Sequence, residues 1–128
     1  MSTDDLIRAD GSLDAGALRS LVDMLGADAE ALAEIVDAFL DEAPQRLSEL
    51  HDGAEAGDSV LVGRAAHTLK ANAAMFGARR LEALCRDLEA DARAGDLTDA
   101  TPRIDAIDAA WQAARPELVA LRKRGSAP

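Results

Sequence analysis

The sequence predicts an all-α fold, an antiparallel four-helix bundle with a short extra N-terminal helix, and three observations carry that prediction. Apolar residues recur at three- and four-residue spacing in successive stretches, the mark of helices with one buried face. Aromatics are only 2%, supplied by Phe39, Phe76 and Trp111, and there is no Tyr, so a sheet would lack its usual cross-strand material. The connections between the periodic stretches are short, which makes neighbouring helices run in opposite directions. A chain of 128 residues and 13.4 kDa suits one domain, because a second would leave each too little chain to bury a core. The expected division is an N-terminal tail over 1–12, a bundle over 13–124 and a C-terminal tail over 125–128.

The first helix is short, with Leu13, Ala17, Leu18, Leu21, Val22 and Leu25 on one face and Gly26 at its end. The second starts after the N-cap residue Asp28 and carries Leu32, Ile35, Val36, Phe39, Leu40, Ala43, Leu47 and Leu50. Pro44 falls within it; a proline there removes a backbone donor and crowds the preceding turn, so a kink or restart is predicted. The segment from His51 to Asp58 reads as a turn, with Asp58 capping a third helix from Ser59 to Phe76 that Gly77 stops. The fourth holds Leu81, Leu84, Cys85, Leu88 and Ala92 and stops at Gly95. Cys85 sits in its apolar stripe, where a thiol packs as a small hydrophobe. The fifth begins near Thr98 to Pro102 and shows Ile104, Ile107, Trp111, Ala114, Leu118 and Leu121, with a bend predicted at Pro116. Its stripe is expected to pack within the chain, leaving a monomer. Arg122, Lys123 and Arg124 before Gly125 read as cations offsetting the dipole at a helix end.

Twenty-four Asp and Glu against fourteen Lys and Arg give a formal charge of −10. Such a field repels nucleic acid and anionic membrane and favours soluble protein partners. One cysteine permits no internal disulfide, and the acidic start of the chain has no apolar core segment of an export signal. A cytoplasmic location is therefore expected. There is no Gly-rich nucleotide loop, so ATP-dependent kinase activity is not expected. Metal-ligand spacings such as His-Glu-x-x-His are absent as well, and His51 reads as solvated surface.

His67 stands apart from the core pattern. At about 100° per residue its face holds Gly63, Arg64, Lys70, Ala71 and Ala74, whereas Val62, Ala65, Leu69, Ala73 and Phe76 form the opposite core stripe. Gly63, Ala71 and Ala74 are too small to cover an imidazole, so the ring is expected to face a second molecule. Between Leu61 and Leu81 lie Arg64, Lys70, Arg79 and Arg80 and no acidic residue. Neutral imidazole is the attacking form of histidine, and neighbouring cations disfavour its protonation. Once phosphorylated, the ring carries close to two negative charges, which Lys70 and Arg64 are placed to offset. The pattern points to reversible phosphoryl chemistry on His67.

The run His67-Thr68-Leu69-Lys70-Ala71-Asn72-Ala73-Ala74-Met75-Phe76-Gly77-Ala78, followed by Leu81, resembles the signature of histidine-containing phosphotransfer (HPt) domains, His-x-Leu-Lys-Gly then small residues, a Gly and a Leu. The resemblance extends over roughly Leu13 to Leu121, through Phe39 to Pro44, Ala65-Ala66 and Leu84-Cys85 to Leu88-Glu89. It implies that His67 is the phosphoacceptor, that Lys70 helps hold the phosphoryl group and that Gly77 makes the turn between the two central helices. It also implies receiver domains of response regulators and hybrid histidine kinases as partners, with Mg²⁺ bound by the receiver and no cofactor on this chain. The expected docking face is Val60, Gly63, Arg64, Lys70, Ala71 and Ala74, with a strip of the helix ending near Leu50. Ala71 departs from the family's usual Gly, and Asn72, phased toward the core, needs a hydrogen-bond partner or access to solvent. The function expected is that of a phosphorelay intermediate, and the alternative is a docking module of the same fold that takes no phosphate. A kinase dimerisation domain would need an acidic residue after the histidine, where Thr68 stands.

Overall fold

The computed structural model describes residues 13–125. The expected tails over 1–12 and 125–128 lie, apart from Gly125, outside the described residues. Five α-helices follow one another: α1 Ala15–Met24, α2 Ala29–Ala56, α3 Ser59–Phe76, α4 Arg79–Arg93 and α5 Ala100–Gly125. No strand occurs among the described residues. Helix α3 packs between α2 and α4, and α5 closes the ring against the same two helices, while α1 lies on α3.

Local chemistry sets the helix starts. The carboxylate of Asp28 accepts from the amides of Glu30 and Ala31 at 3.0 and 3.2 Å, and that of Asp58 accepts from Leu61 at 3.1 Å. Each meets donors that the first turn would otherwise leave bare. Asp14 does the same for α1 through the amide of Gly16.

One expectation about α2 is corrected: the segment after Leu50 is helical as far as Ala56, with the turn confined to Gly57 and Asp58. Pro44 lies inside one continuous element, so of the kink or restart expected there no restart occurs. The apolar stripe Leu32, Val36, Phe39, Ala43, Leu47, Leu50 is buried along its whole length, so packing holds the helix through the residue that locally opposes it. Gly53 shows why the helix continues: a Cβ there would stand 2.8 Å from Val62 Cγ2, so α2 and α3 approach closely beyond the predicted stop. Likewise α5 runs through Pro116 as one element, and it begins at Ala100.

The core collects all three aromatics. Phe39 stacks on Phe76 with ring centroids 5.3 Å apart and meets Trp111 at 5.0 Å, tilted by 55°. Leu50, Leu69, Leu81, Leu88, Ile104, Ile107 and Leu118 complete the interior. Cys85 is fully buried, and desolvation pushes its thiol up to about 12, which leaves it neutral and unreactive. Asn72 is half-buried and its Nδ2 finds no partner. At the far end of the chain, Arg122 pairs with Asp37 of α2, tying the close of α5 to the bundle.

Gly77 ends α3 with φ 70°, and its missing side chain matters twice. An L residue is strained at that φ, and a Cβ would lie 2.7 Å from Cβ atoms of both Ala17 and Asp14. Its carbonyl accepts from the Asp14 amide at 2.8 Å, and Arg79 Nη2 reaches Asp14 Oδ2 at the same distance. The α3–α4 turn is thus also the seat of α1.

Candidate functional site

Helices α3 and α4 make the most extensive contact in the bundle, and His67 stands at its outer edge. The His67 side chain is 56% exposed. Its Nδ1 lies 2.7 Å from Glu89 Oε2, and Lys70 Nζ donates to Glu89 Oε1 at 2.5 Å. Arg93 Nη2 donates to Oε2 at 2.6 Å. Glu89 itself is buried and is the one charged residue in the interior among the described residues. Burial pushes its carboxyl up, but hydrogen bonds from Lys70 and His67 and the charges of Lys70 and Arg93 outweigh it and hold the group below the usual carboxylate value.

The arrangement fixes the imidazole. An ionised carboxylate only accepts hydrogen bonds, so Nδ1–H donates to Glu89 and the neutral ring keeps its lone pair on Nε2. That nitrogen is the nucleophilic one, on a ring that more than half faces solvent.

The sequence-predicted residues separate into two groups. His67 and Arg64 are exposed and Lys70 is partly buried, all on one face of α3 as the helical spacing requires. Val60 is 61% exposed. Gly63 is buried at the foot of that face: lacking a side chain, it lets α4 approach until a Cβ there would stand 3.6 Å from the Cβ of Ala92. An open groove beside His67 is lined by Val60, Arg64, Arg93 and, as floor, Gly63 and Ala92. Ala71 is exposed and Ala74 half-buried, and neither lines that groove. His51, expected in a turn, sits on α2 and is half exposed, with Nε2 2.7 Å from Asp108 Oδ2.

Sequence reasoning missed Glu89, and with it a negative charge inside the basic spot. The basic stretch around His67 is real along α3, but α4 inserts a carboxylate into it from twenty-two residues away. A signal existed: Glu89 falls four residues after Cys85 and one after Leu88, in the buried stripe of α4. An acidic residue in that phase requires cationic partners, and Arg93 one turn on supplies one of them.

Among the described residues no group of three or more His, Cys, Asp or Glu could hold a metal ion, and no helix is long and apolar enough to cross a membrane.

An exposed, oriented histidine on the central pair of a helical bundle, with a buried acceptor behind it and cations around it, fits a phosphotransfer module. The Hpt domain family model matches residues 34–117, and the chain belongs to that family. Histidine-containing phosphotransfer protein B (HptB) from Pseudomonas aeruginosa PAO1 is similar in structure, with a TM-score of 0.80 and 28% identity over 88% of this chain and 96% of that one. The curated proteins contain no match. The chain accordingly has a phosphotransfer role in two-component signalling.

Proposed function

We propose that this protein is a phosphorelay intermediate that accepts a phosphoryl group on His67 from a receiver-domain aspartate and passes it to another receiver. The single observation that carries the reading is the exposed imidazole held through Nδ1 by a buried carboxylate. In the forward step the Nε2 lone pair attacks phosphorus, the Nε2–P bond forms, the aspartyl O–P bond breaks and the aspartate leaves as a carboxylate. No proton needs to move. The phosphorylated ring keeps its proton on Nδ1 and becomes cationic, and Glu89 stands against that charge. The phosphoryl oxygens add negative charge among Arg64, Lys70 and Arg93.

Receiver domains of response regulators and hybrid histidine kinases are the partners in this reading, and Mg²⁺ belongs to the receiver. This chain contributes no cofactor, no metal and no kinase activity of its own. It acts as a monomer in the cytoplasm, where its single thiol stays reduced, and its acidic surface turns away nucleic acid and membrane. Docking is over Val60, Arg64 and the His67 ring and is transient, since a shuttle must release each partner.

Incubation with a phosphorylated receiver and Mg²⁺ tests the proposal. Acid-labile phosphate is expected on the wild-type protein and none on His67→Gln. Labelling that survives in the variant would reject His67, and binding of receivers without labelling would establish the docking module instead.

A further inference from the structure

Lys70 and Arg64 both belong to the phosphoacceptor's face, yet the structure engages them differently. Lys70 is 27% exposed and its ammonium lies 2.5 Å from Glu89. Arg93 is bound to the same carboxylate at 2.6 Å, and Arg46, across the groove, reaches Glu49 at 3.1 Å. Arg64 is exposed and has no hydrogen bond or ion pair among the described residues. Among the described residues it is therefore the one cation beside His67 that no carboxylate holds.

Its direction agrees. Side chains on a helix lean toward the N-terminal turn, so the surface that a residue covers lies over the positions before it. That lean takes the His67 ring toward Gly63 and Arg64, with which it lines the groove. The groove runs the same way: Val60, Gly63 and Arg64 line it, while Lys70, Ala71 and Ala74 do not. Gly63, with no side chain, leaves that side of the ring clear.

We infer that the phosphoryl group on His67 is held by the Arg64 guanidinium over the Gly63 floor, while Lys70 serves as a positioning residue that holds Glu89. The inference rests on the relay reading and divides the labour within it. A planar guanidinium can give two parallel hydrogen bonds to phosphoryl oxygens, whereas the Lys70 ammonium is a point charge that already gives one of its three donors to Glu89.

The first measurement needs no receiver. The full chain carrying His51→Asn, which removes the other exposed histidine, is phosphorylated chemically with phosphoramidate, and the ³¹P resonance of phospho-His67 is titrated. Replacing Arg64 by Ala is expected to raise the apparent pKa of the phosphoryl oxygens by about half to one unit, and Arg64→Lys to restore part of the difference. A second measurement is the equilibrium between receiver phosphate and His67 phosphate. It should move about tenfold toward the receiver in Arg64→Ala, the loss of one charge-assisted contact. A residue that only touches the partner would change the rate of transfer and leave that equilibrium constant alone. An unchanged titration together with an unchanged equilibrium would overturn the assignment. Because the titration uses no receiver, its outcome is separate from the fate of the relay reading.

Discussion

Glu89 is the residue on which the site turns, because its one carboxylate is shared by His67, Lys70 and Arg93. Glu89→Ala removes the anchor of the ring and leaves two cations facing each other, so stability is expected to fall by about 1–3 kcal/mol and transfer to His67 by roughly tenfold, the value of one lost orienting bond. Glu89→Gln keeps one acceptor oxygen and should recover part of the transfer rate. Urea unfolding and single-turnover labelling would measure the two effects. The pH dependence has a definite sign. The folded carboxyl lies below its ordinary value of 4.5, so the unfolded chain binds the proton first as pH falls. Stability from this group is complete above the ordinary value and is lost as pH drops through the lowered one. In Glu89→Gln that part of the acid limb should flatten.

Elements were legible in the sequence wherever their ends are made of local chemistry. The bounds Ser59 and Phe76 of α3 follow from Asp58 and Gly77, one supplying a capping oxygen and the other a left-handed turn, and neither needs information from elsewhere in the chain. The continuation of α2 past His51 was not legible, because it depends on burial against α3, as the close approach of Gly53 to Val62 shows. His67 was readable from phase alone. Glu89 was hidden because its meaning depends on which helix face meets α3. The seat of α1 is the same kind of long-range fact, and it makes Gly77 testable. At φ 70° an alanine is strained by about 1–2 kcal/mol, and its Cβ would press on Ala17 and Asp14, adding about 1–3 kcal/mol of overpacking. Gly77→Ala is therefore expected to lose about 2–5 kcal/mol in a denaturant titration. Its amide-exchange pattern should show α1 released first, since the Asp14 amide bond to the Gly77 carbonyl is the contact displaced.

At the scale of the molecule, the question is whether the bundle unfolds as one body, and the aromatic cluster decides it. Phe39 belongs to α2, Phe76 closes α3 and Trp111 lies on α5, so one contact group ties three of the four bundle helices. Leu81 and Leu88 bring α4 into the same core. Phe39 touches both other rings and is 1% exposed, so Phe39→Ala opens a cavity at the junction and is expected to cost about 3–5 kcal/mol. For a domain of this size that corresponds to a fall in Tm of roughly 10–20 °C. Trp111 is the only tryptophan and is buried, which makes its fluorescence a probe of the junction independent of helix content. If the junction holds the whole bundle, fluorescence and far-ultraviolet circular dichroism should trace the same transition in both proteins. His67 lies nine residues before Phe76, about 14 Å along α3, and its bonds run to α4. The variant should therefore still take phosphate below its lowered transition and lose that capacity together with the helical signal. Separate transitions would mean that the α3–α4 pair bearing the histidine folds as a unit of its own.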